Sequence, residues 1–155
     1  RQKRVVAEGI KPNGIILSED ARTIFIAETD NGTAEAESNP DAERGRMTLN
    51  AFRLKKDGTP GRKRVIVNFG DQLGIDGMTM DTGGHLYAAV RSEETFGIYI
   101  FTQRGKELGY IQTPQLPTNC CFGKGIESQT LYITAGAGFY RIRLTATGYH
   151  PAVAE

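Results

Sequence analysis

Three times along this chain an Asn or Asp stands at the mouth of a short apolar run that turns back into a second apolar run. The clearest copy is Gly74-Ile75-Asp76-Gly77-Met78-Thr79-Met80-Asp81, which turns through Thr82-Gly83-Gly84-His85 into Leu86-Tyr87-Ala88-Ala89-Val90. Upstream, Pro12-Asn13-Gly14-Ile15-Ile16-Leu17-Ser18 turns at Glu19-Asp20-Ala21-Arg22 into Thr23-Ile24-Phe25-Ile26-Ala27-Glu28. Downstream, Pro117-Thr118-Asn119-Cys120-Cys121-Phe122-Gly123 leads to Thr130-Leu131-Tyr132-Ile133-Thr134. Short β-branched runs separated by turn residues are strand pairs. Asn13, Asp76 and Asn119 hold the same place in successive repeats, so they are expected to converge on one site, and that site to bind a metal.

The segments between the repeats complete the pattern. Met47 to Leu54 alternates, with Met47, Leu49, Ala51 and Arg53 on one face and Asn50, Phe52 and Leu54 on the other. Asp57-Gly58 within Lys55 to Gly61 is a hairpin signal, and Arg64 to Phe69 is the next strand. Gly97 to Phe101 and Leu108 to Ile111 follow the second repeat, joined by a turn at Arg104-Gly105-Lys106. Gly138 to Leu144 follows the third. No stretch keeps a helical period over two turns. Units of about 40–50 residues with four strands each mark β-propeller blades. Asn119 follows Asp76 by 43 residues, and Asp76 follows Asn13 by 63. The polar stretch from Asp30 to Arg46, read as a long excursion loop, accounts for the excess. The fold class is therefore all-β, with about three blades and a leading strand at Lys3 to Ala7.

Propellers close with roughly four to eight blades, so three leave a bare edge and half a channel. The chain is expected to be the carboxyl-terminal half of a single propeller domain, spanning residues 1–155, with the other blades in a longer polypeptide. A pseudo-ring of two copies is the alternative. The first residue is Arg rather than Met, which reads as a processed or truncated start.

Composition narrows the partners. A formal net charge of +1 gives no warrant for nucleic acid or an anionic membrane. The basic start Arg1-Gln2-Lys3-Arg4 reads as solvated chain. No run approaches the roughly 18 apolar residues of a membrane helix, and the compartment is left open. Cys120 and Cys121 are adjacent, give neither a disulfide framework nor a zinc pattern, and one or both read as small core residues.

These motifs taken together resemble the senescence-marker-protein (regucalcin), gluconolactonase and luciferin-regenerating-enzyme family. The carriers are Pro12-Asn13-Gly14-Ile15-Ile16-Leu17-Ser18, Ile75-Asp76-Gly77-Met78 with Asp81-Gly84-His85-Leu86-Tyr87, and Asn119-Cys120-Cys121-Phe122-Gly123. The resemblance implies a six-bladed propeller with a divalent cation in its central channel, commonly Ca2+, with Zn2+ or Mg2+ as alternatives. It implies Asn13 and Asp76 as metal ligands. The family's glutamate ligand belongs to the first blade, and its substrate-contacting Arg and Asn residues to the half that this chain lacks.

Independently, an Asn carbonyl and an Asp carboxylate are the hard oxygen donors that calcium takes. The expected function is metal-dependent hydrolysis of a sugar lactone, a small-molecule substrate, with Asp76 as general base and ligand and Asn13 as ligand. The fragment alone is expected to hold an incomplete site. Asn119, at the equivalent repeat position, could line the channel, and Glu28 and Thr29 could reach it. His85, after Gly83-Gly84, reads as a turn residue at the opposite end. Two other readings stay open: a calcium-binding or regulatory propeller without catalysis, and a hydrolase of other esters or organophosphates on the same scaffold.

Overall fold

A computed structural model of the chain describes residues 11–30 and 45–151. The expected strand Lys3 to Ala7 and most of the expected excursion loop lie outside them. Eleven strands in the described residues form three antiparallel sheets. The first holds β1 (Pro12–Leu17), β2 (Thr23–Thr29), β3 (Met47–Leu54) and β4 (Pro60–Asn68) in chain order. The second holds β5 (Ile75–Met80), β6 (Leu86–Val90), β7 (Gly97–Phe101) and β8 (Glu107–Gln112). The third holds β9 (Pro117–Phe122), β10 (Thr130–Ala135) and β11 (Gly138–Arg143). Each sheet is a meander, and the first strands β1, β5 and β9 lie side by side. These are three consecutive blades of a β-propeller. Asp57-Gly58 makes the β3–β4 turn with Gly58 at φ +77°, a conformation that a side chain disfavours.

The alternation of the strands divides the core in two. β6 is apolar throughout and buried on both faces. Its Leu86, Ala88 and Val90 meet Phe25, Ala27, Leu49 and Ala51 of the first sheet, together with Met78 and Met80. Tyr87 and Ala89 point the other way, against Cys120, Phe122, Leu131 and Ile133 of the third sheet. Tyr87 and Phe122 meet edge to face at 5.0 Å, a geometry that aligns ring edge with ring face.

β3 departs from a simple amphipathic strand. Its two faces separate as the sequence reads, but both are buried from Met47 to Phe52. The face turned from the second sheet carries a polar cluster in which Glu28 accepts from Thr48 Oγ1 at 3.2 Å, from Asn50 Nδ2 at 3.4 Å and from Lys63 Nζ. Thr48 and Asn50 also bond each other, at 2.9 Å. Buried polar groups persist when partners replace water, and here a carboxylate, a hydroxyl, an amide and an ammonium supply one another.

The two cysteines differ. Cys120 is buried and its thiol is pushed up to about 12 by that burial, whereas Cys121 is exposed. At pH 8 a thiol titrating near 12 is thiolate in roughly one molecule in ten thousand. Iodoacetamide at pH 8 is therefore expected to add one carbamidomethyl group to the native protein, on Cys121, and two after unfolding. Intact-mass and peptide spectra check both the number and the position.

Beyond β11 the chain crosses the far ends of all three first strands. Tyr149 N–H donates to Met80 O at 2.9 Å, Thr82 N–H to Thr147 O at 2.8 Å and Gly148 N–H to Ser128 O at 2.8 Å. Tyr149 OH reaches Glu19 O at 3.4 Å, and His150 Nε2 lies 2.8 Å from Gly123 O. This segment ties the blades together at the end opposite Asn13, Asp76 and Asn119.

Candidate functional site

The near ends of β1, β5 and β9 carry the three repeated polar residues, and each of these strands breaks its register there. Shifts fall between Pro12 and Ile15 on β1, between Ile75 and Met78 on β5, and opposite Thr134 and Ala135 on β9. Such irregularities bend a strand and re-aim its side chains. The repeated device thus acts at Asn13, at Asp76 and beside Asn119.

Glycine lets the strands close up at this level. A methyl group on Gly14 would overlap the carbonyl oxygen of Asp76 and come within 3.3 Å of Gly77 Cα. One on Gly77 would overlap Asn119 Oδ1 and lie 3.0 Å from Asn119 Cα. Close backbone approach of this kind needs residues without Cβ. The Asn-Gly and Asp-Gly pairs therefore have a joint meaning: the polar residue sits at the mouth, and its glycine seats the neighbouring strand.

Asn13 and Asn119 are exposed at this end and Asp76 is half-buried. Asn119 Oδ1 accepts from the Cys120 N–H at 2.8 Å, which turns that oxygen to its own strand. Arg91 Nη1 lies 3.4 Å from Asp76 Oδ2, a long ion pair, and Arg91 Nε is buried with no hydrogen-bond partner among the described residues. Thr29 Oγ1 donates to Ile75 O at 2.5 Å, one residue from Asp76. Glu28 turns instead into the polar cluster behind the first sheet. Lys11 and Asp30 form a 2.7 Å pair at the same end.

Sequence reasoning passed over Arg91. Its signal was a charged residue following the Leu86–Val90 run at the mouth side, one residue beyond the Val90–Ile75 pair, where its backbone N–H donates to Gly74 O at 3.0 Å. His85 stands in the turn at the far end, where its Nδ1 lies 3.0 Å from Asp81 Oδ2. Asp81 is buried there and also accepts from the Gly83 and His85 N–H groups and from Tyr87 OH. Burial, followed by the charge of Asp81, raises the Tyr87 phenol above its ordinary range. This is a structural lock on the hairpin.

Among the described residues no three His, Cys, Asp or Glu side chains gather at one point. The mouth offers oxygen donors of the hard type, one carboxylate and an Asn amide, at adjacent strands whose backbones touch. In kind they fit a divalent cation such as calcium; in number they fall short of the about six to eight oxygens it takes.

A family profile described as "SMP-30/Gluconolactonase/LRE-like region" matches residues 2–137. A gluconolactonase of Zymomonas mobilis is 31% identical over 147 residues, covering 89% of this chain and 36% of that protein. The solved gluconolactonase of Xanthomonas campestris superposes with a TM-score of 0.70 at 29% identity, covering 90% of this chain and 39% of that one. A calcium-binding protein, regucalcin, of Agrobacterium tumefaciens shares the fold at a TM-score of 0.65 and 19% identity, covering 89% of this chain and 47% of that one. The chain thus spans about a third of the length of the curated relative. With the profile covering most of its residues, the chain belongs to the SMP-30/gluconolactonase/LRE-like family.

Proposed function

We propose that the intact protein is a metal-dependent hydrolase of a sugar lactone, with Asn13 and Asp76 as ligands of a divalent cation, most readily Ca2+, and Asp76 as general base. The supporting observation is the meeting of β1 and β5 at Gly14 and Asp76, each strand irregular in register at its polar residue. The gluconolactonases among its relatives favour a lactone over other esters, and the calcium named for the regucalcin neighbour favours that ion.

When bound, the cation supplies electrostatic polarisation of the lactone carbonyl and lowers the pKa of a water. Asp76 takes the proton of the attacking water as its oxygen bonds to the carbonyl carbon. The ring C–O bond then breaks, and the departing oxygen receives that proton, giving a hydroxy acid. Arg91, long-paired to Asp76 and with its side chain 38% exposed, holds the carboxylate and offers the exposed part of its guanidinium to a substrate oxygen. The remaining donors come from the other blades, in an amino-terminal part of the same polypeptide or in a second copy. Residues 1–155 then form the carboxyl-terminal half of one propeller domain. The open face of the third sheet, where exposed Phe139 stacks on Tyr132 at 5.7 Å, is where the next blade would seat.

The test is a pH-stat assay of the intact protein on a simple aldonolactone. Calcium should stimulate turnover, a chelator should abolish it and added calcium restore it. Turnover indifferent to chelator sinks the metal; calcium-raised melting without turnover favours a calcium-binding propeller without catalysis.

A further inference from the structure

The net charge of +1 conceals an uneven distribution. From Arg53 to Arg64 the β3–β4 hairpin carries six cations, Arg53, Lys55, Lys56, Arg62, Lys63 and Arg64, against one carboxylate, Asp57. Strand pairing sorts them. Thr23 faces Arg53 across β2 and β3, and Ala51 faces Arg64 across β3 and β4. Lys63 emerges on the opposite face, where Glu28 takes it.

Arg53, Arg62 and Arg64 with Thr23 and Ala51 line a cavity of about 210 Å³, and no acidic side chain lines it. Among the described residues none of the three arginines makes an ion pair or a side-chain hydrogen bond. The acid nearest in influence, Asp20, accepts from Ser18 Oγ at 2.7 Å and from the Arg22 N–H at 3.1 Å. Those two bonds, ahead of the charges of Arg22 and Arg53, hold its carboxyl below the usual range.

Three like charges set by a ladder around one hollow repel, and an anion placed among them removes the repulsion. Guanidinium is always charged, weakly hydrated and forked to match two oxygens of one oxyanion. A hollow rather than a flat basic stripe suits a small anion. We propose that this cavity binds a phosphate-type oxyanion, either inorganic phosphate or the phosphoryl group of a small metabolite. It is separate from the mouth. Pro12 pairs with Glu28 at the mouth end of β2, and Thr23 lies five residues down that strand, about 17 Å away.

The experiment is thermal melting of the full chain in sodium phosphate, and separately in glycerol 3-phosphate, against sodium chloride of equal ionic strength. The wild type should show a saturable rise in melting temperature with half-saturation in about the millimolar range. R53Q/R64Q should raise the half-saturating concentration at least about tenfold, the loss of one charge-assisted bond or more. R141Q/R143Q, on the edge strand of the third sheet, should keep the wild-type response. Thr23→Glu, which puts a carboxylate among the arginines, should melt higher without ligand and lose the response to phosphate. The tighter of the two probes, lost in R53Q/R64Q, identifies the source. Equal melting of the wild type in phosphate and chloride overturns the proposal. So does a phosphate response that R53Q/R64Q retains, because phosphate stabilises folded proteins generally by exclusion from their surface.

Discussion

Asp76→Asn in the intact protein is expected to lower kcat/KM on an aldonolactone by about 10²–10⁴-fold, the usual contribution of a positioned general base. The substitution keeps the shape of the side chain and its place on β5, and removes the charge and the proton-accepting carboxylate together. Its effect on stability should be small. Among the described residues its side chain pairs with Arg91 alone, at 3.4 Å, with both side chains part-exposed at 25% and 38%, and pairs of that kind contribute about 0–1 kcal/mol. Activity and melting temperature should therefore part company: near-complete loss of turnover with a midpoint shifted by no more than about 4 °C. The variant should also need more calcium to reach any stabilisation, since an amide oxygen is a weaker ligand for a hard cation than a carboxylate. Steady-state kinetics, a melting curve and a calcium titration of that curve read the three effects. Unchanged kcat/KM with normal folding would remove Asp76 from the chemistry.

The place of that residue in the fold was legible from sequence because repetition marked it. Asp76 and Asn13 occupy one position in successive copies, and the copies became adjacent strands. The same repetition predicted three blades, and the apolar run Leu86–Val90 predicted a strand without saying that it would be buried on both faces. What stayed illegible has a common physical cause: it depends on what lies across a gap. The polar cluster of Glu28, Thr48, Asn50 and Lys63 joins three strands, and no local pattern says that a Lys on β4 will meet a Glu on β2. Nor does alternation reveal a register shift, which changes pairing without changing sequence. Arg91 was lost in the same way, its meaning fixed by a carboxylate 15 residues earlier. The return of residues 147–149 along Met80 to Thr82 was hidden because Thr145 to His150 has no strand-like apolar run.

Gly14→Ala tests the most specific of those gaps. The added methyl would overlap the Asp76 carbonyl oxygen, with Met78 Cε at 3.2 Å and Gly77 Cα at 3.3 Å closing the other sides. Two of these three neighbours are backbone, and backbone held in a strand yields only by moving the strand. Overpacking of this kind costs about 1–3 kcal/mol, or roughly 2–12 °C of melting temperature for a domain of this size. Gly109→Ala is the control. Its methyl would meet only Ile100 Cδ1 at 3.6 Å, an ordinary contact, and its φ is not positive. There the loss of unfolded-chain entropy should leave stability unchanged or raised by up to about 1 kcal/mol. The two glycines thus predict opposite signs for the same chemical change. Gly14→Ala should also lower the activity of the intact protein beyond its effect on folding, because the wedge parts Asn13 from Asp76. If Gly14→Ala melts like Gly109→Ala, β1 and β5 are not in contact at the mouth, and the shared site built on that contact goes with it.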